Sequence, residues 1–189
     1  IGRTATGTGP VAWSHDGSPF GVFDLNGNVN KWVAGLRLDG GEIQIFENNN
    51  AADGVKDHSA SSGEWKAILQ DGSLVAPGTA DTLKMDATNV DGSGNIVIGT
   101  TVDNVSDGTT YANTMFKDVV AKGATTIPAI LKQLCLFPED TDYPHGRMYM
   151  RNLGERLPYR GGNWSSTSNA GLPYLDLSAE RSNPLYGLG

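Results

Sequence analysis

Short runs in which apolar and polar residues alternate recur along the chain, and this period of two predicts β-strands. The clearest pair of runs lies at 36–38 and 42–46, and Gly40-Gly41 between them predicts a hairpin. The segment 91–95, rich in Asp, Gly and Ser, is expected to be the loop of a second hairpin. Further runs predict strands around 83–85, 95–99, 101–102 and 148–151.

Helical spacing of apolar residues is clearest in the stretch 111–137. One stripe predicts a helix that begins at Thr109 or Thr110, ends at Gly123 and buries Tyr111, Met115, Phe116, Val119 and Val120. A second helix is expected after Pro128, with a buried stripe of Ile130, Leu131, Leu134 and Cys135. With its small hairpins and these two helices, roughly 42–140 is interpreted as an insertion in a single domain, 1–189.

The block Arg-Gly-Gly-Asn-Trp at 160–164 opens the most informative part of the chain. Its two glycines permit close approach of two backbone segments, and Trp164 is expected to be a buried anchor. In the strand that follows, alternation places Leu175 and Leu177 on the core side of a sheet. The other side is expected to face solvent and carries Tyr174, Asp176 and Ser178.

The stretch 21–33 is expected to contain a tight turn at Asn26-Gly27 followed by a short strand. Asp24, Asn26 and Asn28 also resemble the first ligands of a calcium loop. However, Val29 occupies the position where that loop needs Gly, and no Glu closes the loop. Turn chemistry therefore explains these side chains better. We expect no cofactor, with a structural calcium ion as the alternative.

Composition excludes several classes of partner. The net charge is −7 and the isoelectric point is near 4.8, so no nucleic-acid partner is expected. No apolar run reaches the length of a transmembrane helix, so membrane insertion is not expected either. The chain shows no signal-peptide pattern, but it begins without Met and stops after Gly189, which suggests a processed or truncated product.

The residue types do not predict an active site. Cys135 is the only cysteine, so neither an internal disulfide nor a zinc site built from cysteines is available. The three histidines, at 15, 58 and 145, have no metal-ligand spacing. Ser14-His15-Asp16 are adjacent and cannot converge on one reacting atom. No catalytic and no metal-binding residue is therefore expected.

Two blocks carry a resemblance to a known fold family. The sequence GVFDLNGNV at 21–29, followed by Trp32, resembles the G-[LV]-[YF]-D-[ML]-x-G-N-V-W-E-W signature of the formylglycine-generating-enzyme-type C-type lectin folds. The block at 160–164 resembles the R-G-G-S-W block of that family, although Asn30 and Lys31 depart from the first signature. The resemblance implies an α+β C-type lectin fold with 42–140 as its inserted region.

The tail resembles the C-terminal variable region of diversity-generating retroelement proteins, through R-G-G-N-W, the S-N-A-G that follows and an L-x-L strand. In that family an error-prone reverse transcriptase rewrites adenine-containing codons, mostly for Asn, at solvent-facing positions. The resemblance implies a variable ligand-binding region at roughly 159–189, comprising Tyr159, Ser165, Ser166, Thr167, Pro173, Tyr174, Asp176, Ser178, Ala179, Pro184, Leu185 and Tyr186. Glu180 is left outside this set because adenine changes do not readily convert an Asn codon to Glu.

The resemblance implies a hypervariable binding protein rather than an enzyme. Its partner would be a protein or another macromolecule on a cell surface, and the protein itself would belong to a phage particle or a bacterial surface. One alternative is an oxidoreductase of the formylglycine-generating or a related type, which needs a reactive Cys pair or iron ligands. The other is a structural virion or surface protein without a variable function.

Overall fold

The computed structural model describes residues 5, 7–140, 142 and 145–183. Its strands, in chain order, are β1 (Lys31–Trp32), β2 (Leu36–Asp39), β3 (Glu42–Phe46), β4 (Trp65–Ile68), β5 (Leu74–Val75), β6 (Lys84–Ala87), β7 (Ile96–Gly99), β8 (Ala112–Met115), β9 (Val120–Ala121), β10 (Arg147–Met150), β11 (Glu155–Arg160) and β12 (Leu175–Ala179). Within the described ranges the one α-helix, α1, is Ala129–Gln133, and 3-10 segments lie at Val11–Trp13, Glu47–Ala52, Phe116–Asp118 and Thr167–Asn169. None of these helices has the length and apolar character needed to cross a membrane.

The strands form one mixed sheet in the order β8-β10-β12-β11-β2-β3-β6-β7-β9. The pairs β10–β12 and β7–β9 are parallel, and the other neighbours along this path are antiparallel. β1 pairs with the second half of β11, while β4 and β5 extend from β3. The protein is therefore mostly β, with mixed α and β elements and little helix.

One hydrophobic core covers one side of the sheet and receives the side of α1 that carries Leu131. Strands from the region 42–140 and from the C-terminal part contribute to it together, through Ile43, Met85, Ile98, Met148, Leu175 and Leu177, among others. Burial of each such side chain stabilises the fold by about 1.5–3 kcal/mol. Leu175 and Leu177 are fully buried there, which confirms their predicted side of the sheet.

Both predicted hairpins are present. In the first, Leu38 lies opposite Ile43, and the connecting Gly40 and Gly41 have φ of 55° and 83°, which favour glycine. In the second, Ala87 lies opposite Ile96, and the loop at 91–95 connects their strands.

The first predicted helix is wrong. The segment forms β8, a 3-10 turn and β9 instead, and the N–H groups of Thr109 and Thr110 donate to the Asp107 carboxylate rather than beginning a helix. The physical reason is tertiary pairing: β8 pairs with β10, and β9 pairs with β7. These ladders, together with β-branched side chains in the segment, outweigh the helical spacing of its apolar residues.

The second predicted helix exists as the short α1, but the prediction that Cys135 is buried is wrong. Directly after α1 the chain takes φ of 49° at Cys135, and the N–H of Leu136 donates back to the Leu131 carbonyl at 2.8 Å. This reversal brings Leu136 into the core in place of Cys135, which is exposed.

The two signature blocks, at 21–32 and 160–164, are far apart in the sequence but meet in space. The Gly27 N–H donates to the Gly161 carbonyl at 2.8 Å, and the Trp164 N–H donates to the Asn28 carbonyl at 2.9 Å. A Cβ on Gly161 would lie 2.7 Å from the Leu25 carbonyl oxygen, so this contact requires glycine. The close approach predicted for the glycine pair is confirmed.

One other prediction about these blocks, the burial of Trp164, is wrong. Trp164 is 44% exposed, and its backbone N–H makes the hydrogen bond between the two blocks. In the stretch before Asn26-Gly27, Phe23 forms an isolated β-bridge with Ser14. The strand after the turn is limited to β1, and β1 pairs with β11.

Candidate functional site

The candidate site is the side of five neighbouring strands that faces away from the core, which we call the outer face. The strands are β8, β10, β12, β11 and β1 in spatial order. One line of directly paired residues crosses all five and consists of Asn113, Tyr149, Asp176, Tyr159 and Trp32. Neighbouring residues along each strand point to the other side, where Met148 and Leu175 enter the core.

Aromatic rings dominate the outer face. Trp32 meets Tyr159 edge-on with ring centroids 5.6 Å apart, and Tyr149 lies 5.7 Å from Tyr174. Tyr111, just before β8, continues the row at 5.8 Å from Tyr149. Such ring pairs contribute about 0.5–1.5 kcal/mol beyond their buried area. The result is a row of aromatic rings that runs from β1 to β8.

Side chains at the two ends of the outer face are exposed to solvent, and those at its centre are buried. Trp32 is 36% exposed and Tyr111 is 44% exposed, whereas Tyr159 and Tyr174 are each only 5% exposed. Asp176 and Ala179 are also buried. The expectation that Tyr159, Tyr174, Asp176 and Ala179 face solvent is therefore wrong. Alternation identified the correct side for Tyr174 and Asp176, but it does not reveal what packs on that side.

A bulge in β12 explains the position of Ala179. Leu157 is paired with Ala179 and Tyr159 with Asp176, so the one residue between them on β11 is opposite two residues of β12. The extra residue moves Ala179 from the core side to the outer face, where it packs with Tyr159 and Tyr174. The bulge is held by the Ser178 N–H and hydroxyl, which donate to Asp176 Oδ1 at 2.8 and 2.6 Å.

Asp176 is the polar centre of the outer face. Its other oxygen, Oδ2, accepts the Tyr159 hydroxyl at 2.6 Å. Burial raises the pKa of Asp176, although the hydrogen bonds from Ser178 and Tyr159 oppose that shift. Burial and the nearby Asp176 carboxylate also raise the pKa of both Tyr159 and Tyr174, so these phenols remain protonated donors.

Asp176→Asn should make stability less dependent on pH. The folded protein holds the Asp176 proton more tightly than the unfolded chain, whose pKa is near the ordinary 3.8. The associated stability is therefore present below that value and is lost as pH rises toward the elevated folded pKa. Asn preserves the shape and can still bond Tyr159 and Ser178. Urea unfolding at a series of pH values measures the free energy of unfolding of both proteins. The value for the wild type minus the value for the variant should fall as pH rises above about 4. A difference that is constant or that rises with pH would contradict this.

The loop before β12 carries the more exposed candidates. Asn163 organises it, since its Oδ1 accepts the N–H and hydroxyl of Ser165 and the hydroxyl of Ser166. Ser165 and Thr167 are exposed, and Ser166 is half-buried. The side chain of Ser166 forms a hydrogen bond with Tyr174, and this bond partly opposes the rise that burial causes in the pKa of Tyr174. Pro173, also half-buried, is next to Gly146.

Three of the predicted positions, Pro184, Leu185 and Tyr186, lie outside the described residues. The described members of the predicted set are divided between the outer face and the loop that borders it. Tyr159, Tyr174, Asp176, Ser178 and Ala179 come together on the face, and Ser166 joins them through Tyr174.

Sequence reasoning missed the part of the outer face contributed by other strands. Trp32, Tyr111 and Tyr149 are aromatic members of it, and the Arg147 side chain donates to Asn113 there. The one available signal was the alternation of Tyr149 between Met148 and Met150 in β10. The pairing of β10 with β12 could not be read from that alternation.

Ser14, His15 and Asp16 make local hydrogen bonds. His15 Nδ1 accepts the Val22 N–H at 2.8 Å, while the Asp16 carboxylate accepts from Ser14 and Ser18. These contacts fold a local turn instead of aligning a triad. Among the residues that the structure describes, no group of three or more His, Cys, Asp or Glu side chains could hold a metal ion.

Comparisons with known proteins do not assign the chain to a family. A scan against models of protein families finds no match, and a search of curated proteins finds no significant match.

Proposed function

We propose that this protein binds a macromolecular ligand, a protein or another cell-surface molecule, through its outer face and the bordering loop 163–169. The observation that carries the proposal is the division of β12 between two sides. Leu175 and Leu177 belong to the main core, whereas Tyr174 and Ala179 belong to a separate small cluster with Tyr159. Side chains on the outer face can therefore differ without altering the main core.

The chemistry of the face suits recognition of a large ligand. Tyr and Trp provide broad contact area with few rotatable bonds, while Ser, Thr and Asn adapt their hydrogen bonds. Trp32 and Tyr111 supply exposed aromatic area at opposite ends, and Ser165 and Thr167 supply exposed hydroxyls in the loop. A rigid sheet beneath them limits the conformational entropy lost on binding.

The proposal extends to the origin of these side chains. The tail resembles the variable region of diversity-generating retroelement proteins, and the two signature blocks resemble those of C-type lectin folds. The hydrogen bonds of Gly27 with Gly161 and of Asn28 with Trp164 support a shared frame for these blocks. In the proposed account, this lectin-type frame stays constant while the codons of the outer face and its loop are rewritten.

The DNA sequence around the coding region tests this origin. We expect a near-copy of the DNA for residues 150–189, close to a reverse-transcriptase gene, that differs from the coding copy only where it has adenine. The differences should fall in the predicted variable codons, including those for Tyr159, Tyr174 and Asp176. The codons for Gly161 and Leu177 should be unchanged. Absence of the copy and of the reverse transcriptase, or differences concentrated in the frame codons, would contradict retroelement diversification.

A further inference from the structure

A second cleft lies on the other side of the β1–β11 ladder and is separate from the outer face. In this ladder Trp32 pairs with Tyr159, and the adjacent pair is Lys31 with Arg160. Because side chains alternate along strands, Lys31 and Arg160 project to the side opposite the aromatic row. They line a cleft of about 450 Å³, which we call the basic cleft.

The walls of the basic cleft are mainly apolar. Val22, Leu25 and Leu172 contribute exposed side chains, and Phe23, Val29 and Val33 complete the wall. A cleft of this size with apolar walls and few polar groups has the dimensions of a small-molecule site. Apolar walls favour a ligand that has an apolar part of its own to bury against them.

The two cations have little local compensation. Arg160 donates to the Leu134 carbonyl at 2.8 Å, and no carboxylate in the described part of the chain forms an ion pair with it. Lys31 Nζ donates to the Gly27 carbonyl at 2.8 Å. Burial lowers the pKa of both groups, and for Lys31 the charge of Asp24 opposes this shift only in part.

Asp24 also lines the cleft and determines the charge of a suitable ligand. Its carboxylate accepts the Gly7 N–H at 3.2 Å, and its charge partly supports the protonated form of Lys31. Two cations and one carboxylate leave one unit of positive charge. That balance favours a monoanion, such as a carboxylate, over a dianion.

We infer that the basic cleft binds an aliphatic carboxylate, whose chain covers the apolar wall and whose head group lies between Lys31 and Arg160. Each cation keeps donors that the backbone carbonyls do not use, and a carboxylate accepts from both. This inference does not rest on the proposed function of the outer face.

Titration with three probes tests the ligand class. Decanoate supplies both chain and head group, decyltrimethylammonium supplies a chain of the same length with the opposite charge, and acetate supplies the head group alone. Calorimetry should show saturable one-to-one binding of decanoate and much weaker binding of the other two. Absence of decanoate binding, or equal binding of the ammonium compound, would overturn the inference.

Lys31→Met tests the location, because Met retains an apolar stem and removes the charge. We expect the Kd for decanoate to rise about tenfold, the usual scale for losing one charge-assisted hydrogen bond. The matched control Lys117→Met alters an exposed lysine of the 3-10 segment Phe116–Asp118 and should leave Kd unchanged. Equal affinities of wild type and a folded Lys31→Met variant would overturn the assigned site.

A measurement on the unaltered protein covers the case in which Lys31→Met does not fold. Backbone amide shifts in NMR spectra, followed during decanoate titration, should change mainly within 22–33 and 160–172. Shifts confined to other parts of the chain would place the ligand elsewhere and overturn the inference.

Discussion

Gly161→Ala is expected to destabilise the protein by about 2–5 kcal/mol. Gly161 has φ of 87°, and a left-handed conformation costs an L-residue about 1–2 kcal/mol. The new Cβ would also lie 2.7 Å from the Leu25 carbonyl oxygen, and relief of such an overlap costs about 1–3 kcal/mol. Movement of this backbone would break the Gly27–Gly161 hydrogen bond that joins the two signature blocks.

Gly154→Ala is the matched control for this variant. Gly154 also has a positive φ, 62°, but a Cβ there would meet no atom within 4 Å. Its substitution should cost only the backbone term of about 1–2 kcal/mol. Chemical denaturation of both variants measures the difference. If Gly161→Ala costs no more than Gly154→Ala, the close contact between the blocks does not contribute to stability.

Randomising the core side of the same strands is expected to unfold most variants, whereas randomising the outer face is not. One library replaces Met148, Met150, Leu175 and Leu177, and the other replaces Tyr159, Tyr174, Asp176 and Ser178. Truncation of a buried Leu or Met costs about 2–5 kcal/mol, so several replacements exceed a typical stability of about 5–15 kcal/mol.

The outer-face positions lie outside the main core, and the buried cluster that contains Tyr159 and Tyr174 is much smaller than the main core, so their replacement should cost less than that of the core positions. Protease resistance of displayed variants, with the same mixed codons in both libraries, gives the folded fraction of each. Similar folded fractions would show that the buried centre of the outer face is as demanding as the core. In that event the face would not suit extensive replacement.

The sequence predicted the local parts of the fold best. The hairpin of β2 and β3 has its turn glycines and its alternation within eleven residues, so both signals are adjacent in the chain. The stretch 111–120 was misassigned because its strand partners, β10 and β7, are distant in sequence. The helical spacing of its apolar residues was present, but the pairing of distant strands determined the structure.

The sequence predicted which side of the sheet the candidate residues occupy, but not how far they are buried there. Alternation correctly separated Leu175 and Leu177 from Tyr174 and Asp176. It could not show that the rings of Tyr149 and Tyr159 come from other strands and help to bury that second side. The bulge that moves Ala179 to the outer face also depends on pairing with β11, and a strict period of two does not anticipate it.

Selection for binding tests the central claim, that the outer face determines what the protein binds. Folded members of the outer-face library are sorted against a panel of unrelated cell-surface proteins, beside a control library at the exposed residues Val55, Val90, Lys117 and Asp118. We expect the outer-face library to yield variants with distinct partners far more often than the control library. Equal yields from the two libraries, or selected binding that survives restoration of the original outer face, would contradict the account.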